Sequence, residues 1–469
     1  MCSTAQRLNH GGDLCNRRYA ESEVKISPHT VSKLKLKWEF IAGKDITATP
    51  AIFNGTVYFP SWNGNIYAVK ADDGSLVWKK NLDELTGLKS PGFIFLINVT
   101  IARATPTVAG DLLIIGIYGP AVVIAVERTT GDLVWMTRLD SHNSSLITMS
   151  GTVHDGGFYV GTSSAEETLT VEQCCTFRSS LAKLDIQTGA ILWQTFTLPD
   201  NFGERGEYAG AVIWGSSPSI DTKRNHVYIA TGNLYSAPSH VTECQERENN
   251  QTVPTHPDQC IEPENHENSI LAFDLDHGNI KWYRQLGGYD IWFFACSDLS
   301  NPLCPPAPNP DPDFGEAPMM LTIIVKGTNF AGPGGFAGGG SWGAATDGHE
   351  IYTNIINSDG LNFTLSPSKK TTNGGGWVAM HAYTGRILWS TANPTNLRAS
   401  GPVDSEGALF AMDVDTGKIL WTYNTGATIY GGVSVSNGCV YVGNGYKVSL
   451  GANIPTFTAG TSLYAFCIS

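Results

Sequence analysis

The chain has 469 residues, of which 42% are hydrophobic and 16% charged, and its 43 acidic and 30 basic side chains give a formal net charge of -13. This length and apolar content suffice for a globular protein with a buried core. The negative charge disfavours nucleic acids and anionic membrane surfaces as partners, because both are negatively charged themselves. We therefore predict no nucleic-acid partner.

No segment of the sequence is typical of a membrane-spanning helix. The longest apolar stretch, Leu112–Val126, is interrupted by Gly and Pro residues and is shorter than the roughly 20 residues such a helix needs. We predict no membrane insertion. The opening Met1–Arg7 lacks the apolar core of a signal peptide, so we expect either a mature exported chain or a chain that is never exported.

One phrase recurs along the chain: an apolar strand ending in Ala, a turn with Gly, then apolar residues and Trp. Its copies are Tyr67–Trp78, Ile124–Trp135, Leu181–Trp193, Leu271–Trp282, Val378–Trp389 and Phe410–Trp421. Two apolar strands joined by a tight turn form a hairpin, and Gly suits a turn position with positive φ. Each copy therefore predicts a hairpin.

A second hairpin precedes most copies, for example at Ala51–Phe59 and Val433–Val442. Each repeat is thus predicted to form four antiparallel strands. Four-stranded sheets repeating every few tens of residues are typical of β-propeller blades. We expect the Trp to fill the gap between neighbouring blades, because a large ring buries roughly 150–250 Å².

The tryptophans predict eight blades. Seven of them end a strand set: Trp38, Trp78, Trp135, Trp193, Trp282, Trp389 and Trp421. The long interval after Trp282 holds two more strand sets, Pro318–Val325 and Ser341–Asn354, and so predicts one more blade. We expect an all-β, eight-bladed propeller of four-stranded antiparallel blades, forming a single domain over residues 1–469.

The two ends of the chain are predicted to share one blade. Leu463–Phe466 resembles a third strand with no Trp after it, while Leu34–Trp38 resembles a fourth strand with no third strand before it. Joining them removes exposed sheet edges. We expect residues 31–38 and 426–469 to form this closing blade, residues 39–425 the others, and residues 1–30 an extension packed on the propeller.

Ten cysteines, an even number, include several that are close in sequence. The candidate disulfide cysteines are Cys174, Cys175, Cys244, Cys260, Cys296, Cys304, Cys439 and Cys467. The last six form three local pairs in that order, whereas the adjacent Cys174 and Cys175 form either one vicinal disulfide or two separate cross-links. Zinc binding is disfavoured, because no Cys-x2-Cys pair has a matching partner pair.

Five Asn-x-Ser/Thr sequons are candidate glycosylation sites: Asn54, Asn98, Asn143, Asn250 and Asn362. They fall mostly where the sequence predicts turns or loops. Together with the cysteines, they favour an oxidising secretory compartment and hence a secreted, extracellular glycoprotein.

The repeats, together with the opening His10–Tyr19, resemble the quinoprotein alcohol dehydrogenase-like superfamily. Its eight-bladed propellers carry this tryptophan docking phrase around pyrroloquinoline quinone (PQQ). The resemblance extends to the C terminus. Within the superfamily, Glu172–Arg178 and Trp214–Pro218 are most similar to bacterial polyvinyl alcohol dehydrogenases and to the secreted plant proteins that resemble them.

The resemblance implies a Ca2+ ion beside the quinone. Gly161–Glu166 is similar to the segment whose Glu binds the metal, here Glu166, and Thr231–Asn233 to the segment whose Asn does, here Asn233. Both offer the hard oxygen ligands that Ca2+ prefers. In the family, the ion polarises the reactive carbonyl of the quinone.

The resemblance also implies contacts to PQQ. Trp214 corresponds to the aromatic floor beneath the planar cofactor, Trp342 is a second candidate facing the channel, and Arg178 is a candidate partner for a cofactor carboxylate. A vicinal disulfide between Cys174 and Cys175 would resemble the ring that packs on the quinone in several relatives, where it lies elsewhere in the chain.

Asp290 is the candidate catalytic base. It lies in Gly287–Trp292, which resembles the family's His-Asp-x-Trp-Asp motif, with Tyr289 in place of His and Phe293 in place of the second Asp. An alcohol loses its hydroxyl proton as hydride leaves its carbon for the quinone, and a carboxylate near a metal suits that proton. The implied substrate is a small or polymeric alcohol.

Two departures keep a noncatalytic alternative open. Leu321–Phe330 lacks the family's Gln-Lys-Ser-Gly-type strand and the repeat phrase after it, and the 32 residues between Trp389 and Trp421 leave little room for an inner hairpin. Two blades are therefore expected to be abridged. The alternative is a degenerate PQQ-like propeller that acts as a binding or scaffold module for an unknown ligand; a carbohydrate-binding propeller is a third reading, based on the aromatic content.

Each candidate also has a purely structural interpretation. Glu166 would then be a solvated loop carboxylate, Asn233 a turn residue and Asp290 a turn cap. The Gly-rich stretch Gly332–Gly340 is not expected to hold a phosphate, because a strand, not a helix, is predicted to follow it.

Overall fold

Short antiparallel strands dominate the computed structural model. It describes residues 9–89, 97–247, 259–285, 290–297, 304, 313–315, 317–321, 343–355, 357, 360–394 and 405–468. None of the helices in these ranges is long and apolar enough to cross a membrane.

Six four-stranded antiparallel sheets form the framework. Sheet 1 is Ala51–Phe53, Thr56–Ser61, Asn65–Lys70 and Leu76–Asn81; sheet 2 is Thr107–Ala109, Leu112–Gly116, Val122–Glu127 and Leu133–Arg138; sheet 3 is Thr152–His154, Gly157–Gly161, Ser180–Asp185 and Ile191–Phe196. Sheet 4 is Ser219–Asp221, His226–Ala230, Ser269–Asp274 and Ile280–Gln285; sheet 5 is Ala345–Thr346, Glu350–Ile355, Gly376–His381 and Ile387–Ala392; sheet 6 is Ser434–Ser436, Cys439–Gly443, Ser462–Ile468 and Leu34–Ile41.

Smaller elements complete the described part of the chain. Two-stranded ladders join Ser145–Leu146 with Ser163–Ser164, Ala209–Gly210 with Leu234–Ser236, Phe363–Thr364 with Thr371–Thr372, and Ala408–Met412 with Ile419–Asn424. The α-helices are Leu82–Thr86 and Ser239–Arg247, and the 3-10 helices are Val31–Lys33, Glu166–Thr168, Phe294–Cys296 and Ser449–Asn453.

The expected all-β propeller fold of four-stranded antiparallel sheets is confirmed, but the expected number of eight blades is wrong for the described residues, which form six. Within the described residues, the repeat ending at Trp421 has the hairpin Ala408–Met412 and Ile419–Asn424, and residues 395–404 before it lie outside them. Most of the segment expected to form the eighth blade, residues 322–342, lies outside the described residues.

The first strand of the chain closes the last sheet. Leu34–Ile41 pairs antiparallel with Ser462–Ile468, so that Leu34 lies opposite Ile468 and Ile41 opposite Ser462. This pairing is the one expected from the incomplete strand sets at the two chain ends.

The repeated Trp docks on the Gly turn of the following repeat. The indole N–H of Trp38 donates to the carbonyl of Ala71 at 3.0 Å, and a Cβ added to Gly74 would lie 2.8 Å from the Trp38 ring. Glycine is therefore favoured at position 74 for two physical reasons. Its φ is +71°, and a side chain would occupy the space where the Trp38 ring packs. The Trp fills the gap between repeats, as its size predicts.

The described residues fall into two compact units. Unit 1 is residues 1–115, 126–133 and 319–469, and unit 2 is residues 116–125 and 134–318. Unit 1 has a core around Trp38, Phe59 and Tyr67, and unit 2 one around Phe177, Tyr235 and Phe293. The single domain over residues 1–469 stays a prediction.

Disulfides join the three local pairs that the spacing favours and also join Cys174 to Cys175, for which the sequence left a vicinal disulfide and two separate cross-links open. They are Cys174–Cys175, Cys244–Cys260 and Cys296–Cys304 in unit 2 and Cys439–Cys467 in unit 1. Cys15 is also disulfide-bonded. The sequon residues Asn54, Asn98, Asn143 and Asn362 are exposed, and Asn250 lies outside the described residues.

Candidate functional site

The candidate site residues of unit 2 lie at one end of sheets 3 and 4. In an antiparallel sheet of this order, the connection between the second and third strands lies at the same end as the segments before the first strand and after the fourth. Glu166 and Asn233 lie between the second and third strands of sheets 3 and 4, respectively. Trp214 lies between the fourth strand of sheet 3 and the first strand of sheet 4, and Asp290 lies after the fourth strand of sheet 4. We call this the site end, and the opposite end, with the Gly turns, the turn end.

Asn233 ties the segment around Asp290 to sheet 4. The side-chain amide of Asn233 donates to the carbonyls of Leu234, at 2.8 Å, and Trp292, at 2.9 Å. The next residue continues the contact, since the N–H of Leu234 donates to the carbonyl of Asp290 at 3.3 Å and the N–H of Trp292 to that of Leu234 at 2.9 Å. Asn233 and Asp290 are thereby brought together, as the resemblance implies.

Asp290 is a buried carboxylate with a defined orientation. It is 1% exposed, and its Oδ2 accepts from the Nδ2 of Asn268 at 3.1 Å. Asn268 is fully buried and adopts a φ of +42°, a conformation that Asn tolerates better than most residues. A fixed carboxylate at a site end suits proton transfer, because geometry comes before pKa for a general base.

Asp313 joins this group, although the sequence did not predict it. Its Oδ1 accepts from the backbone N–H of Asn233 at 2.9 Å, and the Trp214 side chain also donates to its carboxylate. A Cβ on Gly232 would overlap that carboxylate, so the glycine makes room for it. Burial raises the pKa of Asp313 to about 6, while the donors Asn233 and Trp214 act in the opposite direction.

Glu167 is the second unexpected acid. It is 7% exposed, and burial, followed by the negative charge of Asp313, raises its pKa well above the usual range. Buried acids whose pKa values are raised in this way are typical of functional sites.

The carboxylate of Glu166 accepts hydrogen bonds from the backbone of the neighbouring loop. Its Oε1 accepts from the N–H of Thr176 at 2.7 Å and its Oε2 from the N–H of Phe177 at 2.8 Å. His142 Nε2 lies 3.2 Å from Oε1. Burial works against protonation of His142, but the hydrogen bond and charge of Glu166 outweigh it and raise the pKa of His142.

The loop that Glu166 holds carries the vicinal disulfide. Cys174 and Cys175 belong to a buried cluster with Phe177 and Phe293, and the partly buried Trp214 packs against this cluster. The disulfide and the candidate aromatic floor thus share one apolar wall of the site end.

Arg178 is engaged elsewhere. Its guanidinium lies 2.8 Å from Oδ1 of Asp200, donates to the carbonyl of Leu198 at 3.2 Å and lies 4.5 Å above the ring of Phe196. Its pairing with a cofactor carboxylate stays a prediction. Trp342, the other candidate cofactor contact, lies outside the described residues.

Sequence reasoning missed Glu167, Asn268 and Asp313. Glu167 was hidden beside Glu166, and Asp313 lies 23 residues beyond Asp290, after the disulfide Cys296–Cys304. The available signal was chemical: an acid directly after a candidate metal ligand, and a second acid in the segment leading out of the motif.

The donor atoms assembled here fit a hard cation. Asp313 offers a carboxylate oxygen beside Asn233, and Glu167 and Asp290 are further buried acids of the site end; Ca2+ takes oxygen ligands of this kind. Glu166 fits less well, because backbone and histidine donors already occupy its two oxygens. The partly buried ring of Trp214 fits a flat aromatic ligand.

A protein-family model, PQQ_2, described as outer membrane protein assembly factor BamB, matches residues 28–284, more than half of the chain. The chain belongs to the PQQ_2 family. The resemblance expected from the Trp-containing repeats is thereby confirmed.

Similar curated proteins include dehydrogenases. The polyvinylalcohol dehydrogenase of a Pseudomonas species is 24% identical over 382 residues, which is 74% of this chain and 54% of the relative. That of Sphingopyxis sp. (strain 113P3) is 26% identical over 403 residues, 77% of this chain and 55% of the relative. The chain thus spans about half the length of these curated relatives.

A solved structure supports the fold. The quinohemoprotein alcohol dehydrogenase from Comamonas testosteroni superposes with a TM-score of 0.66 at 16% sequence identity, covering 99% of this chain and 81% of that one. At this identity the likeness shows that the PQQ_2 family member described here shares its fold.

Proposed function

We propose that this chain is a PQQ-dependent, alcohol dehydrogenase-like oxidoreductase that oxidises a small or polymeric alcohol with the assistance of Ca2+. The single observation that carries this proposal is the meeting of Asn233, Asp290 and Asp313 beside Trp214 at the site end of unit 2. The polyvinylalcohol dehydrogenases among its relatives support a polymeric alcohol as substrate.

Each residue has a chemical role in this proposal. Asp290 accepts the hydroxyl proton of the alcohol, and Asn268 holds the Asp290 carboxylate in one orientation. Trp214 provides the flat surface on which the cofactor lies, and Asp313 fixes the Trp214 ring relative to Asn233. PQQ, when bound with Ca2+, would take the hydride from the alcohol carbon.

Reconstitution tests the proposal. The purified chain is incubated with PQQ and CaCl2, and the cofactor absorption and the reduction of an artificial electron acceptor are followed with ethanol, 1-butanol and polyvinyl alcohol. We expect cofactor binding and alcohol-dependent reduction. Absence of both would contradict the proposal.

A charge-removing substitution at the base sharpens the test. Asp290→Asn should abolish turnover, because the amide cannot accept the proton, and should leave PQQ binding within about twofold. Asp155→Asn, the same change in the exposed turn between the first two strands of sheet 3, is the matched control and should retain full activity. Equal loss of binding and turnover in Asp290→Asn would contradict the assigned role.

A noncatalytic propeller is the second candidate. The observation that favours it is the sequence between Trp389 and Trp421, whose 32 residues leave little room for an inner hairpin. Such a chain would act as a binding or scaffold module. PQQ binding with no acceptor reduction for any alcohol, in the reconstitution above, would favour this function.

We also propose that the chain is secreted and glycosylated. The disulfides in both units and the exposed sequons at Asn54, Asn98, Asn143 and Asn362 support an oxidising compartment. Expression in a eukaryotic secretory host should give a protein whose mass falls on treatment with peptide N-glycosidase. An unchanged mass would contradict glycosylation.

A further inference from the structure

A polar cleft of about 490 Å³ lies in unit 1 beside sheet 5. Its lining comes from the two-stranded ladder of Phe363–Thr364 with Thr371–Thr372 and from the end of strand Ile387–Ala392. Clefts that hold small molecules have volumes of about 300–1,000 Å³, so this one is large enough for a ligand. None of its residues has a role in the proposed alcohol oxidation.

Buried hydrogen bonds fix the walls of the cleft. The fully buried Asn357 donates from Nδ2 to the carbonyls of Leu361, at 2.8 Å, and Asn373, at 3.0 Å, and its Oδ1 accepts from the N–H of Leu361 at 3.0 Å. The N–H of Asn393, a buried residue of the lining, donates to the carbonyl of Gly375 at 2.9 Å. The cleft is therefore preformed, which lowers the entropic cost of filling it.

The chemistry of the lining favours a neutral polar ligand. Among the described residues, no carboxylate and no aromatic ring lines the cleft, so a metal ion and a flat apolar ligand are disfavoured. The polar side chains of the lining are amides, hydroxyls and one ammonium: Asn362, Asn373, Asn393, Thr371, Thr372 and Lys370.

Several of these groups have hydrogen-bonding capacity to spare. Within the described residues, Lys370 and Asn373 hydrogen-bond through their backbone atoms alone. The Thr372 hydroxyl accepts from the N–H of Gly374 at 3.1 Å and keeps its own hydrogen for a further acceptor. Such a mixture of donors and acceptors suits a sugar, whose hydroxyl and acetamido groups both donate and accept.

The cleft also contains the residue to which a sugar would be attached. Asn362 lines the cleft, and it is the first residue of the sequon Asn362–Thr364. Phe363 packs on the apolar cluster around Ile355 and Val378, whereas Asn362 is exposed. In glycosylation, the side-chain nitrogen of Asn362 replaces the diphosphate of a lipid-linked oligosaccharide at C1 of N-acetylglucosamine and loses one proton. The attached glycan therefore begins in the cleft.

We infer that this cleft binds the first N-acetylglucosamine residues of the N-linked glycan on Asn362, with Lys370, Thr372 and Asn373 as hydrogen-bond partners. Attachment makes the binding intramolecular, so that individually weak sugar contacts suffice. The glycan on Asn362 is thereby a packed part of unit 1, unlike one that extends into solvent. This inference rests on the proposed glycosylation for the presence of the sugar.

Native deglycosylation of the full chain from the eukaryotic secretory host tests the inference. The folded protein is treated with peptide N-glycosidase in water enriched in heavy oxygen, and mass spectrometry of its peptides follows sugar release at each sequon. Asn54 is the internal comparison, because it lies in an exposed turn where a Cβ on Gly55 would meet nothing within 4 Å. In the folded chain, release at Asn362 should be on the order of tenfold slower than at Asn54, which corresponds to about 1.4 kcal/mol of sugar contacts. After denaturation the two rates should be equal.

Two substitutions distinguish sugar contacts from simple crowding. Lys370→Met and Asn373→Leu each keep the approximate size of the side chain and remove its polar atoms. Each should speed release at Asn362 by roughly threefold or more, because a hydrogen bond to the sugar is lost, and should leave the rate at Asn54 unchanged. Lys223→Met, the same change at an exposed lysine of unit 2, should alter neither rate. Equal native release at Asn362 and Asn54 would overturn the inference, as would slow release at Asn362 that neither substitution changes.

Thermal unfolding gives an independent readout. Asn362→Gln and Thr364→Val remove the glycan in two different ways, and each should lower Tm by about 1–3 °C, because the sugar contacts exist only in the folded state. The same substitutions in a chain from a bacterial periplasm without N-glycosylation should leave Tm unchanged, as should Asn54→Gln in the glycosylated chain. Equal Tm shifts for Asn362→Gln and Asn54→Gln would overturn the inference.

The inference and the proposed glycosylation fail separately. If no sequon carries a sugar, both are wrong. If Asn54 and Asn362 both carry sugars that are released at the same rate from the folded chain, glycosylation stands and the assignment of the cleft is wrong.

Discussion

The two ends of sheets 3 and 4 differ in how well their buried polar groups are hydrogen-bonded. At the turn end, the indole N–H of Trp193 donates to the carbonyl of Leu275 at 3.1 Å, and the Thr195 hydroxyl donates to that of Gly278 at 2.8 Å. At the site end, Glu167 is buried without a donor, and His266 Nδ1 has no hydrogen-bond partner within the described residues. At the turn end these polar groups are hydrogen-bonded. At the site end, these buried polar groups lack hydrogen-bond partners in the described part of the chain, which costs stability.

This difference separates stability from chemistry within one unit. Elements whose polar groups are all paired are suited to holding the fold, while deviations from that rule concentrate at functional sites. Substitutions at the turn end should therefore change the free energy of unfolding and leave ligand binding intact. Substitutions of the candidate site residues, such as Asp290 and Trp214, should change ligand binding or turnover.

The largest effect is expected for Trp193→Ala. Trp193 is 9% exposed and packs on the Gly278 turn, so its removal should lower the free energy of unfolding by roughly 3–5 kcal/mol. Trp282→Ala is the matched control, because Trp282 holds the same place in the next repeat but is 44% exposed, and it should cost about 1 kcal/mol or less. Urea unfolding of both variants measures the difference; equal losses would break the distinction.

The next effect is expected for Gly278→Ala. Gly278 has a φ of +73°, and an added Cβ would lie 2.5 Å from the Trp193 ring, so strain and overpacking should together cost about 2–4 kcal/mol. Gly203→Ala separates the two causes, because Gly203 has a φ of +76° with nothing within 4 Å of an added Cβ, and it should cost about 1 kcal/mol. Urea unfolding gives both values, and similar losses would show that the ring contact contributes little.

The turn end was more predictable from sequence than the site end. The phrase from Leu271 to Trp282 fixes a hairpin because strand alternation, the Gly turn and the Trp are all local signals. The second reason for the glycine, contact with the Trp of the preceding repeat, is a tertiary effect that no single repeat contains. Six complete sheets, not eight, are found in the described part of the chain; a Trp phrase marks only the outer hairpin, and at Trp421 that hairpin is what the structure describes.

At the site end, the sequence predicted which segments lie close together. It did not predict which side-chain atoms are in contact. Asn233 and Asp290 lie together as the resemblance implies, because both follow strands whose ends the repeat fixes. The adjacent acids Glu166 and Glu167 were not distinguishable, since side-chain direction in a single turn of 3-10 helix depends on the partners around it. Asp313 lies 23 residues beyond Asp290 in a Pro-rich part of the sequence, where periodicity gives no guidance.

An effect of similar size, but dependent on pH, is expected from His266 at the site end. His266 is 6% exposed and packs against Tyr283 with the rings tilted by 59° and their centroids 4.6 Å apart. Burial lowers its pKa to about 4, although Glu264 acts in the opposite direction. Between the usual histidine pKa of about 6.5 and pH 4, the unfolded chain binds a proton that the folded chain does not, so stability falls as the pH falls.

The loss attributable to His266 between pH 7 and pH 4 should be on the order of 3 kcal/mol, since each unit of pKa shift corresponds to about 1.4 kcal/mol. His266→Phe keeps the packing surface and removes the titrating nitrogen. Urea unfolding at several pH values should show a shallower acid-side decline for this variant than for the wild type, because the buried carboxylates are common to both. Parallel pH profiles would mean that His266 is protonated without penalty in the folded state, and that the site end tolerates a cation there.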